Sequence, residues 1–145
     1  MASADEIYIS IKGKGGHAAT PHLCVDPIVI SARIVTALQE IVSRSIDPLS
    51  PGVLTIGKIY SDGGATNVIP DTVRLEGTLR AMDEKWRMDT HHRIKNLVEK
   101  ICESSGATAE VNIVTGYPSL INNDAVTSMC RKAAIAYLGE DKVHE

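Results

Sequence analysis

The sequence predicts an α+β fold of the ferredoxin-like type: a four-stranded antiparallel sheet with two helices packed on one face. Three observations carry this. Between residues 6 and 116, four stretches of period-two alternation and two of helical period follow one another in the order β-α-β-β-α-β. Both helices open on capping residues, Asp26 followed by Pro27 in the first and Asp83 in the second. No internal repeat, linker or low-complexity stretch interrupts the order, so it reads as one folding unit.

In the first strand Ile7, Ile9 and Ile11 alternate with Tyr8, Ser10 and Lys12, the pattern of a half-buried strand. It ends in Gly13-Lys14-Gly15-Gly16-His17, where three glycines in four positions permit positive φ and close approach of another segment. The first helix reads Ile28, Ile30, Ala32, Ile34, Val35, Leu38, Ile41 and Val42, with Arg33, Gln39 and Glu40 outward and Pro48 and Pro51 as stops. The second strand runs from Val53 to Tyr60 and the third, strictly alternating, from Val73 to Arg80, with a glycine-containing loop over 61–66 between them. The second helix runs through Ile94, Leu97, Val98, Ile101 and Cys102 to Gly106, and Ala109, Val111, Ile113 and Thr115 form the fourth strand. After Tyr117-Pro118, Asn123 or Asp124 caps a third helix through Val126, Met129, Ala133, Ala136 and Leu138, ended by Gly139. A two-layer sandwich closes its apolar faces without that helix. The expected division is therefore a domain over 6–116 and, over 117–145, a junction and helix belonging to a neighbouring module.

With no Phe, one Trp and four Tyr, the core must be built from Ile, Val, Leu and Ala. A net charge of -3 without a basic run excludes nucleic acid as a partner. No apolar run approaches the roughly 18 residues that span a bilayer, so no membrane partner is expected. Cys24, Cys102 and Cys130 are widely spaced and contain no Cys-x-x-Cys, which suits reduced thiols in the cytoplasm.

In this topology the end of the first strand and the hairpin between the second and third lie at the same edge of the sheet. His17 sits at one place and Asn67 at the other, within Gly63-Gly64-Ala65-Thr66-Asn67. An imidazole N–H beside a carboxamide NH₂ is an oxyanion-polarising pair. The alternatives are that His17 is only a turn residue and that Asn67 serves its hairpin, since Asn tolerates the left-handed conformation. His17, His22 and Asp26 also invite a metal reading, but Asp26 is better explained as the helix cap. His91 and His92 read as solvated residues of the second helix. The second strand, from Gly52 to Tyr60, falls at an edge guarded by Lys58 alone. Two such edges related by a two-fold axis, with the first helices side by side, make a homodimer.

The run Lys12-Gly13-Lys14-Gly15-Gly16-His17-Ala18-Ala19-Thr20-Pro21-His22, followed by Asp26-Pro27, resembles the lid module of a family of metal-dependent amidohydrolases and peptidases. That family includes aminoacylases, hippurate hydrolases, indoleacetyl-amino-acid hydrolases and the glutamate carboxypeptidase type. Gly63 to Asp71 and Glu76-Gly77-Thr78-Leu79-Arg80 match it in order, and the likeness covers essentially the whole chain. The resemblance implies a lid and dimerisation domain of an N-acyl-amino-acid amidohydrolase, nearest to hippurate hydrolases. It implies that His17 reaches the scissile carbonyl, in many members across the dimer, and that Asn67 helps hold the substrate. It implies that Arg80 binds the substrate carboxylate, although the topology puts Arg80 near the opposite end of the third strand, where a structural ion pair is the alternative. The two divalent metal ions, zinc or manganese, belong to a catalytic domain whose motifs are absent here; no cofactor or metal ligand is expected within these residues. The segment alone is expected to be inactive. The competing readings are a standalone ferredoxin-like small-molecule-binding module and a purely structural dimerisation module.

Overall fold

A computed structural model describes residues 1–47 and 49–144. The elements are β1 (Asp5–Lys12), β2 (Gly16–His17), α1 (Pro27–Ser45), β3 (Gly52–Ser61), β4 (Val68–Ile69), β5 (Thr72–Ala81), α2 (Glu84–Ser104), β6 (Thr108–Thr115) and α3 (Asp124–Leu138). Four strands form one antiparallel sheet in the order β3-β5-β1-β6, and β2 and β4 form a separate two-stranded ribbon. This is the expected ferredoxin-like α+β sheet, with β3 at an edge. Pro48, expected as a stop for α1, lies outside the described residues.

The core follows from the two periodicities. Ile7, Ile9 and Ile11 of β1 and Val73, Leu75 and Leu79 of β5 point to one face and are fully buried or nearly so. Ile30, Ile34, Leu38 and Ile41 of α1 and Ile94, Val98 and Cys102 of α2 cover them. Ile28 and Ala32 leave the stripe to which the sequence assigned them. At 100° per residue each lies far around the helix from Ile30 or Ile34, and both are exposed. The Asp26 carboxylate accepts from the Ile28 N–H at 2.8 Å and the Val29 N–H at 3.4 Å, which satisfies two donors at the start of α1. Asp83 caps α2 through the Trp86 N–H at 2.6 Å. Gly106, at φ +74°, closes that helix in a conformation that favours glycine.

Opposite the helices the sheet is open and polar, with Lys58 and Glu76 paired across β3 and β5 at 3.0 Å. A β-bulge at Gly57 shifts the β3–β5 register between Ile56 and Lys58. The helix α3 contributes nothing to the core: none of its residues is buried, and Val126 and Met129 are more than half exposed. Its N-cap is Asn123, the first of the two expected candidates.

Candidate functional site

Beyond the end of β1 the chain doubles back against the hairpin that joins β3 to β5. The Gly13 N–H donates to the Asp71 carbonyl at 2.9 Å, and the Gly15 N–H to the Asp71 carboxylate at 2.8 Å. Lys14 and Val25 exchange both backbone bonds at 2.9 Å, closing the loop on itself. β2 then pairs with β4, setting His17 opposite Val68, and the Ala18 N–H reaches the Asn67 carbonyl at 2.9 Å. The backbones of His17 and Asn67 therefore occupy neighbouring rungs of one ribbon, on the edge where the topology put them.

The glycines are needed for proximity. A Cβ on Gly13 would lie 2.1 Å from the Val25 carbonyl oxygen, and one on Gly15 would lie 2.5 Å from that of Ile69. None of Gly13, Gly15 and Gly16 has positive φ, so the conformational freedom expected of them is not what the loop uses. Asn67 is not left-handed either, because among the described residues no non-glycine has positive φ.

The His17 side chain is exposed, and its Nδ1 accepts from the Ala19 N–H at 3.1 Å. The His17 carbonyl accepts from the Thr20 N–H at 2.9 Å and the Thr20 hydroxyl at 3.1 Å, which ties the turn 17–20 together. An imidazole so held has Nε2 left to meet a ligand. Asp26, committed to its cap, is not available to join His17 and His22. Among the described residues no three or more of His, Cys, Asp and Glu are grouped to hold a metal ion, so these residues do not fit a two-metal centre.

Arg80 lies elsewhere. It is eight residues beyond Thr72, the end of β5 nearest His17, a separation of about 26 Å along an extended strand. It borders a groove of about 490 Å³ on the open face of the sheet, with Tyr8, Lys58, Glu76, Thr78 and Tyr117. Its guanidinium approaches the Ser3 carbonyl at 3.5 Å and, among the described residues, forms no ion pair. Within one chain the structure joins His17 to Asn67 and separates both from Arg80.

A second polar cluster escaped the sequence reading. Asp5 is 1% exposed. It accepts from Arg87 Nε at 2.9 Å, from the Gly116 N–H at 3.0 Å, and shares a 2.7 Å hydrogen bond with His91 Nε2. Arg87 also reaches Glu84 at 2.8 Å and the Gly116 carbonyl at 3.0 Å. Burial pushes the Asp5 carboxyl up, but the hydrogen bonds of Arg87, His91 and Gly116 outweigh it and hold its pKa at about 2. The same contact with Asp5 raises Arg87 further above its usual range, against the effect of burial. His91 is thus a partner of a buried carboxylate and not the solvated residue expected. The signal was present: Asp5 falls in the inward register of Ile7, Ile9 and Ile11, and Arg87 in the stripe of Ile94 and Val98. Opposite charges at inward positions of two packed elements must pair.

Residues 3–110 match a family model described as the peptidase dimerisation domain. The chain is 44% identical over 135 residues to an N-acetyl-L-cysteine deacetylase of Bacillus subtilis, covering 92% of this chain and 32% of that protein. It is 44% identical over 124 residues to an N-acyl-L-amino acid amidohydrolase of Geobacillus stearothermophilus, covering 86% of this chain and 33% of that protein. Among solved structures, a dinuclear metal-binding peptidase of the M20 family from Bacillus subtilis superposes with a TM-score of 0.71 at 30% identity, over 96% of this chain and 33% of that one. The chain spans about a third of the length of the curated relatives it matches.

Proposed function

The chain belongs to the peptidase dimerisation domain family of M20 hydrolases, and on that premise we propose that it is the lid and dimerisation domain of a metal-dependent, hippurate hydrolase-like amidohydrolase of N-acyl amino acids. In this reading residues 6–116 are the lid, and 117–145 are a junction and a helix that packs on a catalytic domain. The uncovered apolar side chains of α3 support that division. The two divalent ions and the base that activates water reside in the catalytic domain, and the free thiols suit a cytoplasmic setting.

The observation that carries the reading is the β2–β4 ribbon, which holds His17 and Asn67 side by side on an exposed edge with Nε2 of the imidazole turned to no partner among the described residues. His17 donates a hydrogen bond to the amide oxygen as it becomes an oxyanion, and Asn67 holds the substrate. A donor placed there acts on charge that develops only in the transition state.

The second protomer enters through β3. Val53, Ile59 and Tyr60 are about half exposed along this edge, and Ala32, Val35, Ile56 and Ile59 line an apolar groove of about 400 Å³ between it and α1. Antiparallel pairing of two β3 edges about a two-fold axis reverses one sheet relative to the other. The Arg80 end of one protomer is thereby carried toward the His17 edge of its partner. An N-acyl amino acid then meets an imidazole at its amide and a guanidinium at its carboxylate, contributed by different subunits.

In the longer enzyme, His17→Ala is expected to lower kcat at least roughly a hundredfold, the loss typical of one oxyanion donor, with metal content unchanged. A variant with near wild-type kcat would refute the role of His17 and favour a purely structural dimerisation module.

A further inference from the structure

We propose that the backbone amide of Ala19 is a positioning group, which holds the His17 ring in the neutral tautomer protonated at Nε2, so that this edge offers a hydrogen-bond donor and not a base. The inference rests on the reading of His17 as the oxyanion donor for its purpose, but its geometry stands independently.

Three consecutive amides follow His17, and each has a fixed acceptor. The Ala18 N–H goes to the Asn67 carbonyl at 2.9 Å, the Ala19 N–H to His17 Nδ1 at 3.1 Å, and the Thr20 N–H to the His17 carbonyl at 2.9 Å. The last of these makes 17–20 a β-turn with His17 in its first position. Neither Ala18 nor Ala19 has positive φ, which excludes the turn types that require it. In such a turn the N–H of the third residue points back at the side chain of the first, the arrangement Asn and Asp use when they hydrogen-bond their own backbone two residues on. Here the acceptor is a ring nitrogen.

The chemistry follows from the donor. A backbone N–H can only donate, so Nδ1 must present its lone pair. A ring with its proton on Nδ1 would set two hydrogens against each other and lose the bond. The remaining ring proton is therefore on Nε2, the atom left facing outward. That face donates and has no lone pair to offer an attacking water, so proton abstraction must come from another group. The Ala18 bond to Asn67 anchors the same turn to the β4 side of the ribbon, which fixes where the Nε2–H points.

The test is nitrogen NMR on this chain, recorded well above the pH at which imidazoles protonate. The unmodified chain is expected to show His17 Nδ1 in the unprotonated range, Nε2 in the protonated range, and a scalar coupling between Nδ1 and the Ala19 amide nitrogen. Replacing the Ala19 amide by an ester, through ligation of a synthetic 1–23 segment at Cys24, removes the donor while the turn keeps its shape. The tautomer ratio should then move toward Nδ1–H by roughly fivefold, the effect of one net hydrogen bond, while cross-strand contacts between β2 and β4 persist. A predominantly Nδ1-protonated ring or an absent coupling in the unmodified chain would overturn the proposal, as would an unchanged ratio in the ester. The unmodified-chain spectra decide it even if the ester fails to fold. Failure of the catalytic reading would be seen separately, in the kcat of His17→Ala.

Discussion

Where β1 begins, Asp5 is sealed from solvent and accepts hydrogen bonds from Arg87 and the Gly116 backbone, with His91 beside it. Beyond the other end of the same strand, His17 stands exposed with one bond to its Nδ1. The first cluster ties the start of β1, the first turns of α2 and the end of β6 into one knot, and each Asp5 carboxylate oxygen takes part in two hydrogen bonds. The second spends backbone amides to aim one ring and leaves a polar atom free. A polar group fully satisfied inside the protein can hold parts together but has nothing left for a ligand. A group held by a single bond at an exposed edge has both orientation and spare capacity. By this contrast the Asp5 end has the character of a structural knot, and the His17 end is where the proposed function puts the chemistry.

The largest effect expected is at the buried end. Arg87→Ala leaves the Asp5 charge without its main partner and should cost about 3–5 kcal/mol of unfolding free energy, measured by urea denaturation. A loss below about 1 kcal/mol would break the comparison by making the knot no more than a surface pair. Next comes acid. Asp5 has a pKa of about 2 in the folded chain against 3.8 for an ordinary aspartate. Because the folded value is the lower, the contribution is complete above pH 4 and disappears as pH falls toward 2. It amounts to about 2 kcal/mol, and unfolding curves taken across that interval should show it. The smallest effect is at the other end: His17→Ala should change unfolding free energy by less than about 0.5 kcal/mol, as exposed positions do. A large loss there would make His17 a structural residue and erase the distinction between the two ends.

Much of this was legible in the sequence. Strict alternation located β1 and β5, Asp26 and Asp83 marked the helix starts, and the β-α-β-β-α-β order sufficed to bring His17 and Asn67 to one edge. The ribbon joining them was not legible, because β2 and β4 have two residues each and no periodicity can be read from so few. Gly13 and Gly15 announced an unusual loop, yet whether a glycine serves torsion or proximity depends on which strand passes beside it. For Gly13 that neighbour is Val25, and for Gly15 it arrives more than fifty residues later, at Ile69 and Asp71. The role of His91 is hidden in the sequence for a related reason. Helical spacing shows that adjacent histidines point apart, but not that one of them points at a carboxylate from β1.

Hybrid dimers of the longer enzyme test most directly the proposal that one subunit serves the site of another. One partner would carry His17→Ala and the other a disabling substitution among the metal ligands of its catalytic domain, each nearly inactive as a homodimer. If the imidazole acts across the two-fold axis, half the mixed population carries one intact composite site. Activity should then return to roughly a quarter of the wild-type value. Hybrids that form and remain as inactive as their parents would contradict that claim.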